Sequence, residues 1–179
     1  YAYYRFRREL KQVNFPSGTM ANHNTNQTQR HRIHSTFKLS KSIELRNRIE
    51  TSSLKSNQPT TDDSMIYQDF IFKPRNKSYQ WNTRIAMSNI DEYANRIYTF
   101  EKSPLYDYPM FNHSYTGIRF YILYKYTTKQ KTNLWFKYGY IQHDTPVQNF
   151  NEQYAIGSGL NEVAGNKKHT FTLQLKHVF

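Results

Sequence analysis

The sequence predicts an all-β fold: an antiparallel transmembrane β-barrel, with eight long strands here forming the C-terminal part of a larger barrel. Three observations carry that expectation. Apolar and polar residues alternate with period two along most of the chain, the signature of a strand with two unlike faces. The alternating runs last about 10–16 residues, where strands of globular domains peak near 5–6 and a tilted membrane-spanning strand needs about 9–11. The connections between them alternate between short and long, as in outer-membrane barrels with tight turns on the periplasmic side and long loops outside.

Taken in order, the first strand covers 1–10 and the second 28–40, where Ile33, Ser35, Phe37 and Leu39 oppose Arg32, His34, Thr36 and Lys38. A third, 43–55, sets Ile43, Leu45 and Ile49 against Glu44, Arg46, Arg48 and Glu50. The fourth, 64–73, alternates Ile66, Gln68, Phe70 and Phe72 with Tyr67, Asp69, Ile71 and Lys73; the fifth, 78–90, alternates Trp81, Thr83, Ile85 and Met87 with Asn82, Arg84, Ala86 and Ser88. The clearest run is 113–127, with Ile118, Phe120, Ile122, Tyr124 and Tyr126 on one face and Arg119, Tyr121, Leu123 and Lys125 on the other. Strands 132–143 and 168–179 repeat the pattern. Turns 41–42, 74–77 and 128–131 are short, and loops 11–27, 56–63, 91–112 and 144–167 are expected to be extracellular. Within the third of these, Arg96–Glu101 (RIYTFE) reads as a hairpin-like piece, because a further crossing would break the alternation of connections.

Composition narrows the class. The 179 residues carry 25 Lys+Arg against 13 Asp+Glu, a net charge of +12, and 17% are aromatic. That aromatic content argues against disorder. No run of 18 apolar residues exists, which excludes a membrane-spanning helix, and the lack of cysteine excludes disulfide and thiolate-metal scaffolds. Residues 1–10 read as mid-strand rather than as a signal peptide, so the chain is expected to be an N-terminally incomplete segment of a longer protein, a single barrel unit over 1–179.

Alternation alone also fits a soluble protein, and the occupants of the two faces decide between them. Tyr4, Tyr79, Trp81, Tyr124, Tyr126, Tyr138 and Tyr140 dot the apolar face toward strand ends, where an amphipathic ring suits the lipid–water boundary. The opposite face is polar and often charged, as a barrel lumen can be and a sandwich core cannot. The alternative is a soluble β-barrel or sandwich that binds an anionic ligand; dependence on detergent separates the two.

Phe171, Leu173, Leu175 and Phe179 resemble the C-terminal signature of bacterial outer-membrane proteins, with His177 where an apolar residue is usual. That resemblance implies recognition by the barrel-assembly machinery, a location in the outer membrane with the C-terminus on the periplasmic side, and outer-membrane lipid as a partner. Arg96–Glu101, Gly117–Tyr121, Leu134–Phe136 and Gly157–Lys168 are similar to the C-terminal barrel of large Bacteroidota outer-membrane proteins, some of which carry an upstream helix-hairpin-helix region. The likeness covers about 80–179. It implies fold and location, and other outer-membrane or periplasmic subunits as partners, but no activity.

The inward face gathers Arg5, Arg7, Arg32, Lys38, Arg46, Arg48, Lys73, Arg84, Arg119, Lys125, Lys137 and Lys176 against Glu44, Glu50 and Asp69. One sign of charge on a low-dielectric wall concentrates counter-ions. Arg46, Arg48, Arg84, Arg119 and Lys137 therefore form the candidate basic stripe of the lumen, acting on anionic material by charge in a channel or scaffold. The competing reading is an internal ion-paired plug completed by acids from strands outside this segment. Direct nucleic-acid binding is not expected, because aromatic and basic residues alternate onto opposite faces. No enzyme is expected and no cofactor is implied. His31 and His34 fall on opposite faces, Asp62-Asp63 lacks a spaced partner for calcium, and Ser158 in Gly157-Ser-Gly159 lacks the flanks of a nucleophile elbow.

Overall fold

The computed structural model describes residues 1–13, 24–55, 60–91, 93–107, 110–129, 131–144, 155–156 and 162–177. In chain order they form β1 (Ala2–Val13), β2 (Asn24–Lys38), β3 (Ile43–Lys55), β4 (Thr61–Phe72) and β5 (Tyr79–Asn89). A single 3₁₀ turn at Tyr93–Asn95 leads to β6 (Ile97–Phe100) and β7 (Met110–His113). Next come β8 (Gly117–Thr127), β9 (Asn133–His143), the two-residue strands β10 (Ala155–Ile156) and β11 (Val163–Ala164), and β12 (Lys167–Lys176).

Eight of these make one sheet in the order β1-β2-β3-β4-β5-β8-β9-β12, every neighbour antiparallel. β1 and β12 stand at its two edges, and no pairing between them closes the sheet among the described residues. The expected strands are present, with boundaries shifted by up to four residues. β1 continues to Val13 and β4 starts at Thr61, whereas β8 starts only at Gly117. His113, where the sequence predicts that strand to open, belongs instead to β7, which pairs with β6. Gly117 lies against β9 so closely that a Cβ there would sit 2.1 Å from the carbonyl oxygen of Gln142.

The three short connections are as expected. Ser40 Oγ accepts the backbone N–H groups of Ser42 and Ile43 in the first, and Asn76, with φ of 61°, turns the second. In the third, Lys131 takes φ of 59° and Thr128 Oγ1 accepts the N–H of Thr132. These turns set the register of three strand pairs, and the register is continuous through the others, so residues of one parity form unbroken rows across the sheet. One row runs Ile43, Phe72, Trp81, Tyr124, Phe136, Leu173. Another, on the opposite face, runs Thr36, Arg46, Asp69, Arg84, Tyr121, Gly139, Thr170.

The two faces differ in what covers them. Phe171 is 70% exposed, Leu173 72% and Leu175 66%, and Ile49, Ile66, Ile85, Met87, Ile118 and Phe136 are exposed with them. The buried residues lie on the polar face: Arg48, Glu50, Met65, Tyr67, Asp69, Arg84, Ala86, Arg119, Tyr121, Leu123 and Trp135. The cover is the segment 93–113. It leaves the sheet after β5, pairs β6 with β7, and returns to β8. Ile97 and Thr99 on β6 and the preceding Asn95 are fully buried beneath it. The hairpin-like reading of Arg96–Glu101 thus has its counterpart in β6, and the hairpin folds back across the polar face.

Candidate functional site

The polar face is organised by three carboxylates. Glu50, 1% exposed on β3, accepts Nε of Arg32 from β2 at 2.8 Å and Nε of Arg48 from its own strand at 2.8 Å. Asp69 on β4 accepts two hydrogen bonds from Arg84 on β5, one of them 2.8 Å long. Glu101, at the end of β6, accepts Arg119 Nε and Nη2 from β8 at 2.9 and 3.0 Å, and Lys137 Nζ from β9 at 3.3 Å. Residues i and i+2 share a strand face, and register neighbours lie about 5 Å apart, so this pairing follows from strand periodicity for the first two carboxylates. Glu101 is different: it is delivered by the hairpin.

Aromatic rings fill the space between the charges. The Arg84 guanidinium carbon lies 3.7 Å from the Tyr67 ring centroid, and Nη1 of Arg84, which finds no hydrogen-bond acceptor among the described residues, is buried in the same place. Arg119 sits 3.9 Å from the ring of Phe111 on β7, Lys137 lies 5.1 Å from Tyr121, and Lys125 lies 5.0 Å from Trp135. Aromatic and basic residues therefore share this face, contrary to the strict segregation expected from alternation. The rings are buried, with Tyr121 at 1% and Trp135 at 6%, so they pack against cations rather than offering stacking surfaces.

The hairpin is held along its length. Arg30 Nη2 donates to the carbonyl of Arg96, Arg48 Nη2 to that of Tyr98, and Gln174 Nε2 to that of Leu105. The Lys102 N–H donates to the Tyr121 hydroxyl at 3.1 Å, and Ser52 Oγ donates to Asn95 Oδ1. Under the hairpin, Thr99 Oγ1 meets His113 Nε2 at 3.1 Å. Burial pushes the His113 imidazole down to about 3, assisted by Arg119, Arg84 and Arg48 and opposed by Glu101. Burial also pushes the Glu101 carboxyl up, but the hydrogen bonds and charge of Arg119, with the charge of Lys137, hold it below its ordinary value.

All five stripe residues lie on this face. Arg48, Arg84, Arg119 and Lys137 are paired with Glu50, Asp69 and Glu101, while Arg46 pairs with Glu44 at 2.5 Å. The balancing acids come from this segment itself, not from strands outside it. Glu101 and His113 were not legible as site residues, although the alternation of Ile97, Thr99 and Glu101 is the signal that sets them on one side of a strand. Phe171, Leu173 and Leu175 project from the open face of β12; Phe179 and Ser158 lie outside the described residues. Toward the short turns the hairpin stops short of the sheet edge and leaves an open recess of about 1210 Å³, floored by Asn82, Leu123 and Trp135.

Among the described residues no group of three or more His, Cys, Asp or Glu is placed to hold a metal ion. No helix among them is long and apolar enough to cross a membrane. Compared with family models, with curated proteins and with solved structures, the chain matches none.

Proposed function

We propose that this chain is part of a β-barrel of the bacterial outer membrane, and that segment 93–113 is its internal plug. The single observation that supports the reading most is the inversion of the sheet. Large apolar side chains are exposed on all eight strands, while charged residues are buried on the other face with their counter-charges. A soluble sheet buries the opposite set, because exposed apolar area beyond a few hundred Å² is unfavourable in water. Lipid reverses the preference, since outward residues then meet acyl chains and inward ones meet polar groups. The likeness of the last strand to the outer-membrane signature points to the same setting and to the barrel-assembly machinery as a partner.

In this reading the barrel is a scaffold or a gated path for anionic material rather than an open pore. Arg48, Arg84 and Arg119 are neutralised at mid-height by Glu50, Asp69 and Glu101, and the hairpin fills the space beside them. Charge selection then falls to cations that the structure leaves unpaired.

The chain holds two tryptophans, which makes the test direct. Trp81 is 38% exposed on the apolar face and Trp135 is 6% exposed on the other. In bilayers of brominated lipid, fluorescence of the Trp135→Phe variant, which reports Trp81, is expected to be strongly quenched. That of Trp81→Phe, which reports Trp135, is expected to be nearly unaffected. Equal quenching, or none at Trp81, overturns the membrane reading.

A further inference from the structure

The recess at the short-turn end differs from the rest of the polar face in charge balance. Lys38 and Lys41 reach it from the β2–β3 turn, Lys73, Arg75 and Lys77 from the β4–β5 turn, Lys102 from the plug and Lys125 from β8. None of these seven has an ion-pair partner among the described residues. The one carboxylate on the lining, Glu44, is taken by Arg46. Deeper on the same face every stripe cation has an acid beside it. The fold thus neutralises its cations where they are structural and leaves them unneutralised where they surround open space.

Three features define what such a space would hold. Its volume of about 1210 Å³ far exceeds that of a single phosphate and lies somewhat above the roughly 300–1,000 Å³ of ordinary ligand cavities. Its cations are mainly lysines, point charges on flexible stems, which grip by charge rather than by the planar fork that arginine offers a carboxylate. Its floor includes Leu123 and Trp135, a low-dielectric base over which Lys125 is already held at 5.0 Å from the Trp135 ring. Cations converging from two turns, the plug and a strand onto an apolar base suit one ligand carrying several negative charges along its length.

We propose that this recess is a binding site for a soluble multivalent anion, a chain of phosphate or carboxylate groups, held by Lys73, Lys77, Lys102 and Lys125 at the short-turn mouth of the plugged face. The site deepens the reading of a path for anionic material, and its test does not depend on where Trp81 lies.

The experiment is calorimetric titration of the detergent-solubilised full chain at low ionic strength with two probes, inorganic tripolyphosphate and hexaglutamate. At least one is expected to bind saturably, and which one binds identifies the charged group. Inorganic monophosphate is expected to bind at least about tenfold more weakly, because fewer charges engage. Lys73→Gln with Lys77→Gln, both exposed turn residues, is expected to weaken binding about tenfold, and Lys125→Gln to weaken it separately. Lys129→Gln with Lys176→Gln removes the same charge from exposed positions outside the recess and is expected to change affinity by less than about twofold. Absence of saturable binding by both probes, or equal loss in the recess and control pairs, overturns the proposal.

Discussion

Glu101 and Arg119 meet through two parallel hydrogen bonds, 2.9 and 3.0 Å long, that join the plug to the centre of the sheet. The pair is buried on both sides, with side-chain exposures of 3% and 9%, and Lys137 adds a third contact at 3.3 Å. Its geometry is the fork-on-fork arrangement in which guanidinium and carboxylate are most complementary. Unlike the clusters of Glu50 and Asp69, it takes its carboxylate from the hairpin.

Removing the charge of Glu101 should therefore loosen the plug before it unfolds the sheet. Glu101→Gln leaves Arg119 and Lys137 buried without their counter-charge, and breaking such a pair costs about 3–5 kcal/mol. Hydrogen exchange is expected to accelerate over 93–113 while β3, β4 and β5 stay protected. In planar bilayers the same variant is expected to conduct more than the parent. Unchanged protection of the hairpin would contradict its role as the fastening.

Acid should act on the same segment. His113 has a folded-state value near 3 against an ordinary 6.5, so the opened form takes up a proton first as the pH falls. The stability it contributes is complete above about 6.5 and declines toward 3. Glu101, held below its ordinary 4.5, contributes stability above that value that is lost as the pH falls through its folded value. Protection of 93–113 is expected to decline from pH 6.5 downward. A His113→Asn variant should remove the upper part of that decline and leave the part due to Glu101.

The buried Arg84–Asp69 pair gives a test of charge against packing. Arg84→Met alone strands Asp69 and is expected to cost about 3–5 kcal/mol, whereas Arg84→Met with Asp69→Leu should recover most of it. Equilibrium unfolding of the single and double variants in detergent decides the point. A double variant as unstable as the single would mean that the Arg84 contact with Tyr67 matters more than the ion pair.

Gly139 is the point at which β9 admits its neighbours. A Cβ there would lie 2.5 Å from Thr170 Oγ1 and 3.5 Å from Arg119 Nη2. Gly139→Val is expected to cost about 1–3 kcal/mol by overpacking, and Thr170→Gly in the same chain should relieve part of it. Additive losses in the double variant would show that the crowding lies elsewhere.

The proposal that the apolar face meets lipid carries its own prediction. Phe136→Arg, on the open face beside Tyr124 and Leu173 and close to the short-turn end, is expected to lower stability in bilayers by about 1 kcal/mol, and Ile85→Arg, at the middle of β5, by about 2–4 kcal/mol. The change at Lys137→Phe, one residue on from Phe136, should act through Glu101 instead. Indifference of the bilayer-inserted protein to Ile85→Arg would argue for water on that face.

Most of the sheet is legible in the sequence because strand periodicity is local. Ile118 to Tyr126 shows which residues share a face without reference to any other strand, and the turns at 41–42 and 128–131 fix their neighbours. The plug is not legible in that way. Ile97 to Glu101 reads as a strand, but whether Glu101 projects outward or meets Arg119 depends on a fold-back of the chain that no periodicity encodes. The recess is less legible still, since its lysines come from two turns, the hairpin and β8, and only the assembled sheet brings them together.

The charged row has a consequence for how the strands find one another. Asp69 lies between Arg46 and Arg84 in the register, and Tyr121, Gly139 and Thr170 continue the line. Because side chains alternate at every residue, a slip of β4 by one position would turn Asp69 to the exposed apolar face and carry Phe70 inward beside two guanidinium groups. In the proposed barrel each misplaced charge would be rejected by the bilayer, and each stranded arginine by its dry surroundings. If the strands assemble in a membrane as proposed, the row would act as a vernier: a misaligned strand would have nowhere to rest, and only the matched alignment would let the next strand be added.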